Sequence, residues 1–465
     1  MTTTEATSGN RYLQGNFAPV PDEITVTDLE VIGAIPEALA GRYLRTGPNP
    51  IGHPDENHHW FLGDGMVHGV DLHGGEARWY RNRWVRSAEI AAMQGVDEVP
   101  GPAEGGVFGG SGNTNVVHHA GGIWAINELS LPYELSPELE TLRRWDFGGP
   151  LPAGTTAHPK FDPATGEMHV MAYNFVEPYL WYHVVDAAGR LVRSVPVDVA
   201  GPVMVHDMGL TDTRAIAFDL PVVFDLELAM NGVRFPYVWD DDYTPRVGLV
   251  PRHVDTAERA TAETTWIEVD PCYVFHPLNA YDATDGTVVV DLVRHPSMFR
   301  TVKNGPDEGT PVLERWVIDP VAGKVATELL DGRAQEFPRA DERLAGREHR
   351  YGYALGAALN DFGGQSDQAT SVLKHDVVAG TTTEHDLGAG RVGGEFVFVP
   401  ADDATSGEDE GWLMGYVYDR STDTSDLVIL DAHDFGADPV ATVKLPRRVP
   451  AGFHGNWIPD RALHS

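Results

Sequence analysis

Residues 315–330 read RWVIDPVAGKVATELL: an apolar run that reaches Asp319, then Gly323, then a second run from Lys324. Asp bonds to its own backbone and tolerates turn geometry, while Gly supplies positive φ, so the stretch predicts a β-hairpin. The same pattern recurs in VHGVDLHGGEARWY (67–80), HVVDAAGRLVRSV (183–195), LKHDVVAGTTTEHDL (373–387) and LVILDAHDFGADPVATVKL (427–445). Hairpins are therefore expected near residues 71, 186, 319, 376 and 431, with similar turn signals at His119 to Gly122 and Asp162 to Gly166.

Propeller blades of four strands take roughly 40–50 residues each. Seven such units fit the 465 residues without a second domain, so residues 1–465 are expected to form one all-β domain. The irregular spacing leaves a β-sandwich or two barrels open. Helical patterning is confined to short pieces, SAEIAAM (87–93) and ADERLAG (340–346), and the 50 Gly and 33 Pro are spread so evenly that they mark no linker.

Sixty-nine acidic residues against 34 basic ones give a formal charge of −35, distributed along the chain. A field of that sign repels phosphate backbones, so nucleic acid is excluded as a partner class, and solubility accounts for the charge. Cys272 is the only cysteine, which excludes an internal disulfide and any cysteine-based zinc or iron–sulfur site. Any metal must be held by histidine or carboxylate. No window approaches the roughly 18 apolar residues of a membrane span. The start, MTTTEATSGNRYLQGNF, lacks an export signal, so a cytoplasmic location is expected.

Of 20 histidines, most must be structural. Four stand apart by context: His158 in TTAHPKFDPATGE, His206 in VMVHDMGLT, His276 in CYVFHPLNAYD and His454 in VPAGFHGNW. Each lies at or just beyond the end of an apolar run beside turn-forming Pro, Asp or Gly. In a propeller the innermost strands converge on the axis, so one histidine from each of four blades could face a shared ion. Their gaps of 48, 70 and 178 residues belong to no short motif. Imidazole alone suits zinc or copper about as well as iron.

These segments resemble those of the carotenoid cleavage oxygenase family, and the resemblance runs end to end. It includes YLQGNFAPV, GRYLRTGPNP, HWFLGDGMVHGV, YRNRWVRS and GNTNVVHHAGGIWAINE, the four histidine segments, QEFPRADERLAGREHRYGY and VGGEFVFVP. The resemblance implies a seven-bladed β-propeller with loops and short helices forming a cap over the metal-bearing face. It further implies one Fe(2+) held by His158, His206, His276 and His454. Three glutamates match those that support the family's histidines, Glu128 serving His206, Glu336 serving His276 and Glu395 serving His454. A carboxylate accepting the Nδ1 proton fixes the tautomer that leaves Nε2 free for metal.

The implied reaction is cleavage of a carbon–carbon double bond by O₂ to two carbonyl products. Thr114 matches a family threonine that crowds one coordination position, with a turn-capping role as the competing reading. Phe61 and Phe299 match positions that line the substrate channel, although core packing explains both equally well. Cys272 reads as a small buried residue. Relatives that cleave 4-hydroxystilbenes carry a lysine immediately before the glutamate that matches Glu128, and this chain has Asn127 there. A carotenoid or apocarotenoid is therefore favoured over a stilbenoid. A binding module that has kept the fold without the chemistry is disfavoured by the full set of histidines and glutamates. VVFDLELAMNGVRFPYVW (222–239) could form an apolar patch for peripheral membrane contact, against which stand Asp225, Glu227 and Asn231.

Overall fold

The computed structural model describes residues 9–463, apart from 53–56, 104–109, 253–263, 304, 307, 358–369 and 403–404. Part of the amino-terminal stretch read above for an export signal, residues 1–8, lies outside the described residues.

The hairpin at 315–330 forms as read. Val312–Asp319 pairs antiparallel with Lys324–Asp331. Asp319 Oδ1 accepts the backbone N–H groups of Val321 and Ala322 at 2.9 and 2.8 Å, and Gly323 takes φ 63°. Side-chain acceptance and a left-handed glycine are the two devices the sequence pattern calls for. Equivalent hairpins join Leu180–Val185 to Leu191–Val197, Ser371–Asp376 to Thr381–Asp386, and Thr424–Asp431 to Ala441–Lys444. The first one departs from expectation. Its strands are Gly65–His73 and Glu76–Trp84, with the turn at Gly74–Gly75. Asp71 lies inside the strand, buried, with Arg42 3.6 Å away.

Seven antiparallel sheets form the blades of the propeller. The first four have four strands each and occupy residues 115–144, 160–197, 209–268 and 277–331 in chain order, and the fifth spans 336–386. The sixth, over 391–444, takes an outer strand from near the amino terminus, Val31–Gly33, which pairs with Ala441–Lys444. The seventh joins Gly41–Pro48, Gly65–His73 and Glu76–Trp84 to a strand from the far end of the chain, Gly455–Pro459. That last pairing closes the ring. Gly455 is required there, because a Cβ on it would stand 2.6 Å from the Leu44 carbonyl oxygen.

Apolar side chains fill the spaces between blades, and the largest buried cluster reaches from the second blade (Met171, Tyr182) to the sixth (Leu413). Helix α1, Ala88–Gln94, falls where SAEIAAM predicts it, with the Ser87 side chain accepting the Ile90 N–H and Gly95 in the left-handed region. ADERLAG makes only a single 3₁₀ turn, Glu342–Leu344. A second helix, α2, Leu226–Met230, rises from the 222–239 segment, where the strands Val222–Phe224 and Tyr237–Trp239 make a two-stranded ribbon. Asp225 caps α2 by accepting the Leu228 N–H, which accounts for that carboxylate. Among the described residues no helix is long and apolar enough to cross a membrane.

Candidate metal centre

Blade edges deliver the candidate residues. His158, His206, His276 and His454 stand one to three positions before the first strands of the second, third and fourth blades and the ring-closing strand of the seventh. Thr114 immediately precedes the first strand of the first blade, Glu336 opens that of the fifth, and Glu395 lies between the two short strands Arg391–Gly393 and Val397–Pro400 of the sixth. Every blade therefore contributes at its inner edge, where the strands lie closest to the axis.

The four imidazoles meet. One ring nitrogen from each lies within 4.8 Å of all the others. His158 Nε2 is 3.0 Å from His206 Nε2. Ring centroids are 4.2–5.2 Å apart except for His206 and His454, which stand opposite at 6.5 Å. Opposed nitrogens bound to one ion at about 2.1 Å would be roughly 4.2 Å apart, so the cluster has the size of a metal site.

Three carboxylates each face the Nδ1 of one of these rings. Glu128 Oε1 is 2.6 Å from His206 Nδ1, Glu336 Oε2 is 2.6 Å from His276 Nδ1, and Glu395 Oε1 is 3.0 Å from His454 Nδ1. A carboxylate only accepts, so each Nδ1 carries the proton and each Nε2 turns a lone pair inward. His276 Nε2 is buried with no hydrogen-bond partner. Such an orphaned acceptor among other imidazoles fits a cation.

Burial would raise all three carboxyls, and their neighbours reverse the effect. Glu128 is lowered by His206, Glu336 is held far down by His276 and His295, and Glu395 sits at about 2 because Arg339 and His454 flank it. All three are anionic near neutrality. Burial also pushes His454 down to about 4, against the pull of Glu395, and holds His158 far below its usual range, helped by the other three rings. Both stay neutral, as metal ligation requires. Leu129 and Phe337, the residues after Glu128 and Glu336, have φ 59° and 53°, a strain of about 1–3 kcal/mol each that aims the preceding carboxylates.

Two cavities touch the cluster. One, of about 400 Å³, is walled by Trp60, Phe61, Phe235, Phe275, Phe337 and Phe453, and reaches His206, His276 and His454 but not His158. Segments of the cap supply much of its wall: the 3₁₀ turn Trp60–Leu62, Glu89 of α1, and Arg234 to Tyr237 of the ribbon. The other, of about 120 Å³, reaches His158, His276 and His454 beside Lys160, Asp207 and Arg339.

Phe61, Thr114 and Asn127 line the apolar cavity. Thr114 donates its hydroxyl to Asn113 Oδ1 at 2.8 Å, and its carbonyl accepts the His454 N–H at 3.0 Å. Phe299 does not reach the cavity: it is fully buried behind Phe61 and Phe235, with ring centroids 6.4 and 5.0 Å away. Asn127 Oδ1 accepts from the Gly112 N–H and the Ser130 hydroxyl, and Nδ2 donates to the Glu128 carbonyl. Cys272 is fully buried, and burial pushes its thiol up to about 12.

Sequence reasoning missed four polar residues at the centre. His295 Nε2 lies 2.6 Å from Glu336 Oε1. Arg339 stands 3.2 Å from Glu395 and bonds the Gly455 carbonyl and Asn456 Oδ1 at 3.1 and 2.7 Å, tying the fifth blade to the ring-closing strand. Asp207 and Lys160 pair beside His158. Each is adjacent or close in sequence to a residue that was singled out, which is the signal that could have found it. A second cluster, Asp162, Glu167 and His169, could in principle hold a cation, but Arg252 already bonds Asp162 and approaches His169 Nε2 at 3.1 Å.

Comparison with known proteins places this architecture among characterised relatives. The family model described as Retinal pigment epithelial membrane protein matches residues 17–459. The chain is similar to the carotenoid cleavage oxygenase of Mycobacterium tuberculosis, 42% identical over 99% of this chain and 100% of that one. Among solved structures it is similar to the lignostilbene dioxygenase of Pseudomonas brassicacearum, with TM-score 0.84, 26% identity, and 97% and 99% of the two chains covered. It is also similar to a cobalt-substituted apocarotenoid oxygenase of Synechocystis, with TM-score 0.81, 28% identity, and 95% and 97% covered.

Proposed function

Because this chain belongs to the carotenoid cleavage oxygenase family, we propose that it binds one Fe(2+) through His158, His206, His276 and His454 and cleaves a double bond of a carotenoid or apocarotenoid with O₂. The supporting observation is that four imidazoles converge on one point and three of them, His206, His276 and His454, stand at the wall of an aromatic cavity. Imidazole does not choose iron over zinc or copper, so that choice follows the family. Iron held there would supply the centre at which O₂ is activated, and each alkene carbon would finish as a carbonyl with one of the two oxygen atoms.

The protein's own part is to hold and to exclude. Glu128, Glu336 and Glu395 keep three Nδ1 protons in place, so three Nε2 atoms stay available. Phe61, Phe235, Phe275 and Phe453 offer a polyene an apolar wall, and a cavity of this kind is the usual setting for a hydrophobic ligand. Leu226 and Met230 on α2 are 63% and 80% exposed, and the ribbon that carries α2 also lines the cavity. This supports peripheral membrane contact through which a lipid-dissolved substrate would arrive.

Cleavage of a stilbenoid is the second reading, favoured by the likeness to a lignostilbene dioxygenase. Asn127 weighs against it for phenolic substrates. Three of its hydrogen-bonding positions are already engaged, and a neutral amide cannot balance a phenolate.

The test is metal analysis and O₂ uptake on the purified protein, with a β-apo-carotenal, a carotenoid and a hydroxystilbene incubated side by side and the aldehydes identified by mass. Cleavage of the polyenes supports the proposal. Cleavage of the stilbene alone overturns the substrate, and inertness after Fe(2+) is restored overturns the chemistry in favour of a binding module.

A further inference from the structure

Three of the four histidines have a carboxylate at 2.6–3.0 Å from Nδ1, and His158 does not. The one acidic group within 4 Å of it among the described residues is Asp207, whose Oδ2 lies 3.6 Å from His158 Nδ1. Asp207 is 3% exposed. Lys160 Nζ grips both its oxygens, at 2.8 Å to Oδ1 and 3.0 Å to Oδ2, and the Met208 N–H adds a bond to Oδ1 at 2.5 Å. A gap of 3.6 Å is too long for a hydrogen bond and too short to hold a water between the two atoms. Asp207 is thus a fixed negative charge facing the Nδ1 edge of the imidazole.

Resting on the reading of the four histidines as metal ligands, we propose that Asp207, clamped by Lys160, is the positioning carboxylate of His158. It favours the tautomer with the proton on Nδ1 and so leaves Nε2 for the ion. All four imidazoles, rather than three, then have their tautomer set by an anion. The device differs from the other three in origin, because Asp207 is the residue after His206 and Lys160 lies two after His158. The His206 segment therefore carries part of the support of His158. The longer contact makes His158 the least tightly oriented of the four.

The alternative is that Lys160 and Asp207 merely strap the second blade to the third. The double variant Lys160→Met, Asp207→Asn separates the two, since it removes both charges together and leaves no unpaired carboxylate buried. Metal affinity is read on the full chain by competition for Co(2+) against a chromogenic chelator, with the cobalt absorption spectrum and the thermal midpoint of the metal-free protein recorded alongside. The proposal expects affinity about 10–100-fold below wild type and an altered spectrum, with the metal-free midpoint close to wild type. Asp207→Glu alone is expected to recover part of the affinity. Affinity within threefold of wild type and an unchanged spectrum would overturn it. Wild-type protein that binds no Co(2+) or Fe(2+) would instead sink the reading of the histidines on which it rests.

Discussion

Glu336 offers the sharpest quantitative test of the support given to the histidines. Its side chain is fully buried, Oε2 faces both His276 Nδ1 and the Phe337 N–H at 2.6 Å, and Oε1 faces His295 Nε2 at 2.6 Å. Glu336→Ala strands three N–H groups where water cannot reach them, at about 1–3 kcal/mol each. Against a total stability of about 5–15 kcal/mol, that is enough to leave much of the protein unfolded or sharply lower its melting temperature. Glu336→Gln behaves differently. Its oxygen can take the Oε2 position and keep the bonds from His276 and Phe337, while its NH₂ faces His295, which can answer by switching tautomer. Folding should then lose only about 1 kcal/mol. What is lost is the negative charge behind His276, so Fe(2+) or Co(2+) affinity should fall about 10–100-fold, or about 1.4–2.7 kcal/mol. Calorimetry of the metal-free proteins and chelator competition read the two quantities separately. Glu336→Gln with wild-type affinity, or Glu336→Ala with an unchanged melting temperature, would refute the reasoning.

Chelation should abolish O₂ uptake, and restoring Fe(2+) to 100 times its dissociation constant should return activity and stabilise the fold by about 2.7 kcal/mol, seen as a rise in melting temperature; activity that survives exhaustive chelation would contradict this. Burial holds His183 and His375 at about 4, below the ordinary 6.5, so the unfolded chain binds more protons between those values. The stability they contribute is complete above about pH 6.5 and is lost on acidification toward pH 4, at about 1.4 kcal/mol per pH unit for each histidine; equal urea midpoints at pH 7 and pH 5 would count against it. Asn127→Lys places a cation at the cavity wall and should raise kcat/KM for a 4-hydroxystilbene at least tenfold over wild type, with the non-phenolic stilbene as control; equal effects on both would show that the residue does not read the phenol. Leu226→Glu with Met230→Glu should weaken binding to phospholipid vesicles severalfold while leaving turnover of detergent-dispersed substrate unchanged, and a parallel loss of both would remove α2 from the membrane proposal.

Much of the fold was legible because Asp and Gly perform specific backbone tasks at turns, as Asp319 and Gly323 show. Asp71 shows the limit. An apolar run that reaches an aspartate looks the same whether that residue ends a strand or pairs across the sheet, and its partner Arg42 lies far back in the chain. The long interval between His276 and His454 likewise concealed a regularity. Glu336 and Glu395 divide it, 60 residues after His276 and 59 before His454, each at the inner edge of an intervening blade. A search for ligands alone cannot see that period, because two of the blades contribute supporting anions instead. Phe299 was drawn toward the cavity by resemblance, yet whether an aromatic forms the wall or backs it depends on packing among residues distant in sequence. Asp207 was passed over as a turn former: its neighbour His206 marks it as near the site, but its facing His158 depends on how the second blade packs against the third.

The pairing of Gly41–Pro48 with Gly455–Pro459 does more than complete the circle of sheets. His454 stands at the head of that strand, with its N–H on the Thr114 carbonyl and its own carbonyl accepting the Thr46 N–H, both at 3.0–3.1 Å. A nascent chain synthesised only through the sixth blade thus possesses three of the four imidazoles and lacks the strand that carries the last. Completion of the four-imidazole cluster and the joining of the chain's two distant ends become one event, so a partly made or clipped molecule lacks the full ligand set on which the proposed chemistry depends.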